Sequence, residues 1–172
     1  MIWLWIFAGV FLAFAWVVFR GAPYVPSQSR YIRKAFTDLY QLGSSDTLVD
    51  VGSGDGVVLR RASEYGATAI GYELNPILVV LARALSRRHK NVSVVLADFW
   101  QTPLPDGTTV VYAFLVTRDV KKMIKKMNAE STRLTRPLRF ISYGNALPGM
   151  TPDKHVDAYD LYTFYPLQSR EP

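Results

Sequence analysis

At 172 residues the chain has room for one domain and a short appendage. It has no cysteine and only two histidines, His89 and His155, far apart in sequence. That excludes a disulfide framework, a thiolate metal site and a cysteine nucleophile, and no metal site is expected. The net charge of +6 suits nucleic acid, an anionic membrane face or an acidic protein partner, without choosing among them.

From Met1 to Phe19 no side chain is charged, and three of the four tryptophans fall in this run. At about 1.5 Å per residue, a helix of that length approaches the roughly 30 Å hydrocarbon thickness of a bilayer. No basic region precedes the run and no small-x-small site follows it, as a cleaved signal peptide would require. Residues 1–19 are therefore expected to form one transmembrane helix. Arg20, Arg30, Arg33 and Lys34 follow it and favour a single-pass placement with the remaining chain on the cytoplasmic side. Residues 20–29 read as a linker, since Pro23 and Pro26 cannot continue a helix. The domain is expected over 30–172.

Within it the first helix is predicted over 30–41, with Ile32, Ala35, Phe36, Leu39 and Tyr40 on one face. A strand over 47–51 leads through a glycine-rich turn to a helix over 57–65. A second strand over 69–73 meets Asn75-Pro76, a helix cap followed by a proline at the first helical position, and the helix continues to about residue 88. Strands are predicted over 92–96, 110–115, 138–143 and 161–165, with a helix over 119–128 that buries Val120, Met123, Ile124 and Met127. Strand and helix in alternation give an α/β fold, a parallel sheet of about six strands with helices on both faces and a shortened C-terminal end.

The chemistry is carried by Val49-Asp50-Val51-Gly52-Ser53-Gly54-Asp55-Gly56, placed between a strand and a helix. Glycines there let a ligand approach the backbone, and the helix N-terminus presents free amides. The spacing is G-x-G-x-G after an acid, not the G-x-G-x-x-G of dinucleotide enzymes, and it suits a ligand without phosphates whose amino-acid portion carries an ammonium. Glu73 ends the second strand, where a carboxylate can accept ribose hydroxyls. Asp98 follows the third, where it can accept from an adenine amino group while Phe99 lines the ring. Three acids after three successive strands point into one crevice.

Gly71-Tyr72-Glu73-Leu74-Asn75-Pro76, with Asp50 to Gly56 before it and Asp98 after it, resembles the class I S-adenosylmethionine methyltransferases with their Rossmann-like sheet. More narrowly it is similar to the membrane-associated lysine methyltransferases that act on the mitochondrial adenine nucleotide carrier and the ATP synthase c-subunit. These also carry an apolar segment and a Pro-x-Val-Pro-Ser-like stretch, matched here by Pro23 to Ser27. The resemblance implies S-adenosylmethionine as cofactor and Asp50, Gly52, Ser53, Gly54, Gly56, Glu73, Leu74, Asp98 and Phe99 as its binding residues. It places Tyr24 and Pro26 near the acceptor channel, to which Phe114 is added as a shaping residue. The family tends to show Phe-Leu-x-Pro after the fourth strand, whereas this chain has Phe114-Leu115-Val116-Thr117. The sequence reveals no dedicated general base, and no catalytic residue is assigned.

The expected function is methylation of a lysine on an integral membrane protein. The alternatives are methylation of a small membrane-soluble acceptor, such as a lipid headgroup or quinone, and a tethered cofactor-binding module without turnover. The bilayer is an expected partner. The basic runs Lys121-Lys122-x-x-Lys125-Lys126 and Arg87-Arg88-His89-Lys90 read first as solvated surface and second as contacts for anionic headgroups. No nucleic-acid module is present, and no nucleic-acid partner is expected.

Overall fold

The computed structural model describes residues 2–5, 9 and 29–167. Among these no helix is long and apolar enough to cross a membrane. The expected transmembrane helix, and with it the single-pass membrane placement, is corrected accordingly. Of residues 1–19 only 2–5 and 9 are described, and 20–28 lie outside the described residues.

Helix α1 (Ser29–Lys34) runs directly into a wider π-helical turn, Ala35–Leu39, in place of one regular helix to residue 41. The Thr37 hydroxyl donates to the Arg33 carbonyl at 3.1 Å, and Tyr40 N–H reaches back five residues to the Ala35 carbonyl at 3.0 Å. The expected apolar face is kept: Ile32, Ala35, Phe36 and Leu39 are all buried.

Seven strands follow among the described residues, not six: β1 (Thr47–Val51), β2 (Thr68–Glu73), β3 (Val92–Leu96), β4 (Val110–Phe114), β5 (Leu138–Tyr143), β6 (Lys154–Val156) and β7 (Tyr159–Phe164). They form one sheet in the order β3-β2-β1-β4-β5-β7-β6. The first five are parallel, and β7 runs antiparallel to both β5 and β6. The central strands β1 and β4 are buried on both faces, which is why neither shows a polar-apolar alternation. β6 is three residues long, largely exposed and carries Lys154 and His155, so it leaves no apolar period to read.

Helices α2 (Val57–Glu64) and α3 (Pro76–Ser86) join α1 on one face, burying Val58, Leu59, Ala62, Val79 and Ala82 against Leu48, Ala69 and Val94. Helix α4 (Val120–Arg133) covers the other face through Val120, Met123 and Met127. The β3–β4 connection contains no helix, and Phe99 and Leu104 fill its place against Tyr72 and Val111. α4 extends one further turn than its apolar period suggests. Its last turn is held by a buried carboxylate, Glu130, which takes Lys126 at 2.8 Å and Arg133 at 2.9 Å.

Candidate cofactor crevice

The strand order reverses between β1 and β4, so their C-terminal ends open a crevice at the position where open α/β sheets bind ligands. The glycine-rich turn leaves β1 there. Gly52, Gly54 and Gly56 all have positive φ (72°, 56° and 80°), a backbone path that only glycine follows without strain. The turn is fastened to the end of β2. Gly52 and Ser53 N–H both donate to the Tyr72 carbonyl at 2.9 and 3.2 Å, and Gly54 N–H donates to Glu73 Oε2 at 2.9 Å. At its far end Asp55 pairs with Arg60 at 3.2 Å.

Gly71 explains its own place in the motif. A Cβ there would meet Leu59 Cδ1 and Ser53 Cβ, each at 2.6 Å, and would press on Ser53 Oγ. The missing side chain is the space in which the turn lies against β2.

Glu73 is 7% exposed, and its other oxygen, Oε1, accepts from Asn75 N–H at 2.8 Å. Asn75 in turn caps α3, its Oδ1 accepting from Ile77 N–H at 2.9 Å. The carboxylate thus ties the glycine turn to the N-terminus of α3, and each oxygen keeps a lone pair for a further donor. Asp50 is buried on the same face of the sheet, and among the described residues no donor reaches its carboxylate. Burial, with Glu73 and Asp55 close by, pushes the Asp50 carboxyl well above the usual carboxylate range. Ser53 Oγ is buried beside it, also without a partner among the described residues.

Asp98 is half-buried after β3. Its Oδ1 accepts from Trp100 N–H and its Oδ2 from Gln101 Nε2, both at 2.9 Å, which closes the 98–102 bend. Leu74 is 39% exposed at the mouth of the crevice. Phe99 is packed inward, 4% exposed, with its ring centroid 5.2 Å from Trp100 and 6.4 Å from Tyr72. Phe114 ends β4 and lies 5.4 Å from Tyr143. Tyr24 and Pro26 lie outside the described residues. The structure therefore gathers Asp50, Gly52, Ser53, Gly54, Gly56 and Glu73 into one unit, with Asp98 and Leu74 at the ends of neighbouring strands.

The basic helix face is less uniform than its sequence suggests. Lys122 stands 4.2 Å over the Trp100 ring, and Lys126 is committed to Glu130 and to the Thr102 carbonyl at 2.9 Å. His155 pairs with Asp160 at 2.7 Å. Among the described residues no three histidine or carboxylate side chains are grouped to hold a metal ion.

A model of the ANTKMT methyltransferase domain matches residues 50–154, from the first crevice acid to the start of β6. The chain belongs to this family. It is 33% identical over 159 residues to the human lysine N-methyltransferase of the ATP synthase c-subunit, covering 86% of this chain and 65% of that protein. To the mouse adenine nucleotide translocase lysine N-methyltransferase it is 35% identical over 158 residues, covering 86% of this chain and 66% of the relative. The chain thus spans about two thirds of the length of these relatives. Among solved structures, an RNA methyltransferase from Salinibacter ruber in complex with S-adenosyl-L-homocysteine superposes with a TM-score of 0.72 at 24% identity, over 86% of this chain and 98% of that one. That likeness establishes the Rossmann-like class I methyltransferase fold.

Proposed function

We propose that this protein is an S-adenosylmethionine-dependent protein-lysine N-methyltransferase whose acceptor is a lysine of an integral membrane protein. The observation that carries the reading is the crevice inside the family match. A buried glutamate is fixed at the end of β2, and beside it a buried aspartate is left without a donor among the described residues. Those groups fit the cofactor. An α-ammonium would supply the charge that the buried Asp50 carboxylate lacks, and the spare lone pairs of Glu73 suit two vicinal ribose hydroxyls. Gly52, where an added Cβ would meet nothing within 4 Å, leaves the turn open on that side.

The bound cofactor would supply a methyl group on a sulfonium, transferred by in-line displacement to a neutral amine. The protein's share is alignment more than proton transfer. Asp50 would take the α-ammonium of the donor and Glu73 its ribose, and the rigid turn fixes the separation of the two carboxyl groups. The acceptor lysine must arrive without its proton, and a site closed to water lowers an ammonium pKa in that direction. The choice of lysine follows from the relatives, named for methylating the ATP synthase c-subunit and the adenine nucleotide translocase.

The test supplies the purified protein with methyl-labelled S-adenosylmethionine and a membrane fraction, then separates protein from lipid by solvent extraction. Label on lysine of the protein fraction is expected. Label wholly in the lipid extract would replace the lysine acceptor with a lipid or quinone, and no transfer despite cofactor binding would leave a binding module.

A further inference from the structure

A row of aromatic rings runs from Phe114 across the sheet. Pairing places Phe114 opposite Tyr143 across β4 and β5, and Tyr143 opposite Tyr159 across β5 and β7. Val51 pairs with Ala113, so the row begins abreast of Gly52 in the glycine turn. It also lies on the face of the sheet that carries the crevice acid. Asp50 is directly opposite Tyr112, and Phe114 follows Tyr112 by two residues, one full strand period. The Phe114 and Tyr143 centroids are 5.4 Å apart, and Tyr143 stacks on Tyr159 at 4.7 Å with 23° between the rings.

The row has a firm base and an open front. Tyr159 and Tyr112 are each 1% exposed and their hydroxyls meet at 3.4 Å, whereas Phe114 and Tyr143 are only half-buried. Burial pushes the Tyr159 hydroxyl up to about 12, so it stays a neutral ring at physiological pH. Gly144 turns the chain directly over Phe114 at a φ of 102°, and a Cβ there would meet Phe114 Cε2 at 3.2 Å and the Leu115 carbonyl at 3.4 Å. Leu115 N–H donates to the Tyr143 carbonyl at 2.8 Å, and Gly144 N–H to the Ala158 carbonyl at 3.2 Å. At the far end Lys34 pairs with Asp157 at 2.8 Å, tying α1 to the β6–β7 turn.

We infer that Phe114 and Tyr143 form the aromatic wall of the acceptor channel, receiving the aliphatic stem of the incoming lysine and the methylated ammonium on their ring faces, with Tyr159 as the positioning residue behind Tyr143. The inference rests on the proposed lysine acceptor. A lysine stem needs an apolar surface that excludes water, and a ring face attracts the alkylammonium formed by transfer. The row begins abreast of Gly52, where the glycine turn leaves β1, so a side chain lying along it approaches the donor site from the side opposite α3.

The test uses the full chain with Tyr143→Phe, Tyr143→Leu and Tyr143→Ala, and two readouts. Calorimetry with S-adenosyl-L-homocysteine measures the cofactor site, and steady-state methylation of purified ATP synthase c-subunit in detergent measures the acceptor. Unchanged S-adenosyl-L-homocysteine affinity is expected in all three. The acceptor KM should rise about three- to thirtyfold for Leu and Ala, while Phe stays within about twofold. Leu performing as well as Tyr would show that no ring face is engaged, and a parallel loss of cofactor affinity would place Tyr143 in the cofactor site. Either result overturns the inference. If the wild type methylates no protein, the lysine reading itself fails, and butyltrimethylammonium then tests the wall alone. With S-adenosyl-L-homocysteine present it should shift the Phe114 and Tyr143 ring resonances, and its neutral tert-butyl isostere should not. Equal or absent shifts would overturn the wall as well.

Discussion

Replacing Gly71 by alanine tests how the cofactor crevice is built. The new Cβ would lie 2.6 Å from both Leu59 Cδ1 and Ser53 Cβ, against an ordinary carbon–carbon contact of about 3.5–4.0 Å. Leu59 is a fully buried residue of α2 and cannot swing into solvent, so relief must come from the turn. Overpacking of this kind costs about 1–3 kcal/mol, or roughly 2–12 °C in Tm for a domain of this size. The yielding segment is Gly52 to Gly54, which would loosen the Tyr72 carbonyl and Glu73 carboxylate from their donors. S-adenosyl-L-homocysteine affinity, measured by calorimetry at a temperature where the variant is folded, should fall more than tenfold, equivalent to about 1.4 kcal/mol or more. Adding Ser53→Gly removes the overlaps with Ser53 Cβ and Oγ, leaves that with Leu59, and should restore part of the stability. A Gly71→Ala protein with unchanged melting and unchanged affinity would refute the packing argument.

Three other outcomes follow from buried carboxyl groups. Asp50→Asn removes a charge that burial disfavours, so the ligand-free protein should gain about 1 kcal/mol in urea melts while S-adenosylmethionine affinity drops; loss of both together would contradict the assignment. The folded protein holds the Asp50 proton above the ordinary value of 3.8 while the unfolded chain releases it, so ligand-free stability should decline as pH rises from about 4 through the raised value. That slope should be missing in Asp50→Asn, and identical pH profiles would count against it. Glu130 is buried, which alone would raise its carboxyl, but its bonds to Lys126 and Arg133 hold it below the usual 4.5. Its stabilisation is complete above that ordinary value and is lost as pH falls through the lowered one. Glu130→Ala should cost about 3–5 kcal/mol in chemical denaturation without changing cofactor affinity, and a loss under about 1 kcal/mol would argue against the network.

The elements that set the crevice are legible in the sequence because local signals and tertiary demands agree there. The apolar run 47–51, the glycines after it, and Asn75-Pro76 at the start of α3 each have one local meaning, and the sheet uses all of them. Glu73 is readable as a ligand group, but its second task is not. Its bond to Gly54 spans 19 residues and is visible only once β1 and β2 pair, whereas its bond to Asn75 is local. The aromatic row is hidden for the same reason. Phe114, Tyr143 and Tyr159 sit on three different strands and look like ordinary strand residues until the register aligns them. β6 escapes because three exposed residues have no period, and the last turn of α4 because Glu130 and Ser131 occupy buried positions that a hydrophobic pattern assigns to solvent. The apolar run at 1–19 misleads in the other direction: its composition is that of a span, and no described helix provides one.

The cofactor crevice is tested most directly by titrating S-adenosylmethionine into the wild-type protein and into Glu73→Gln. The glutamine keeps the shape but presents an amide donor to either the Gly54 or the Asn75 N–H, and it removes one charge-assisted acceptor from the ribose position. At about 1.5–3 kcal/mol for a hydrogen bond to a charged group, affinity should fall roughly ten- to hundredfold. Wild-type protein that binds a nicotinamide dinucleotide in preference to S-adenosylmethionine, or a Glu73→Gln variant that binds S-adenosylmethionine as tightly as the wild type, would contradict it.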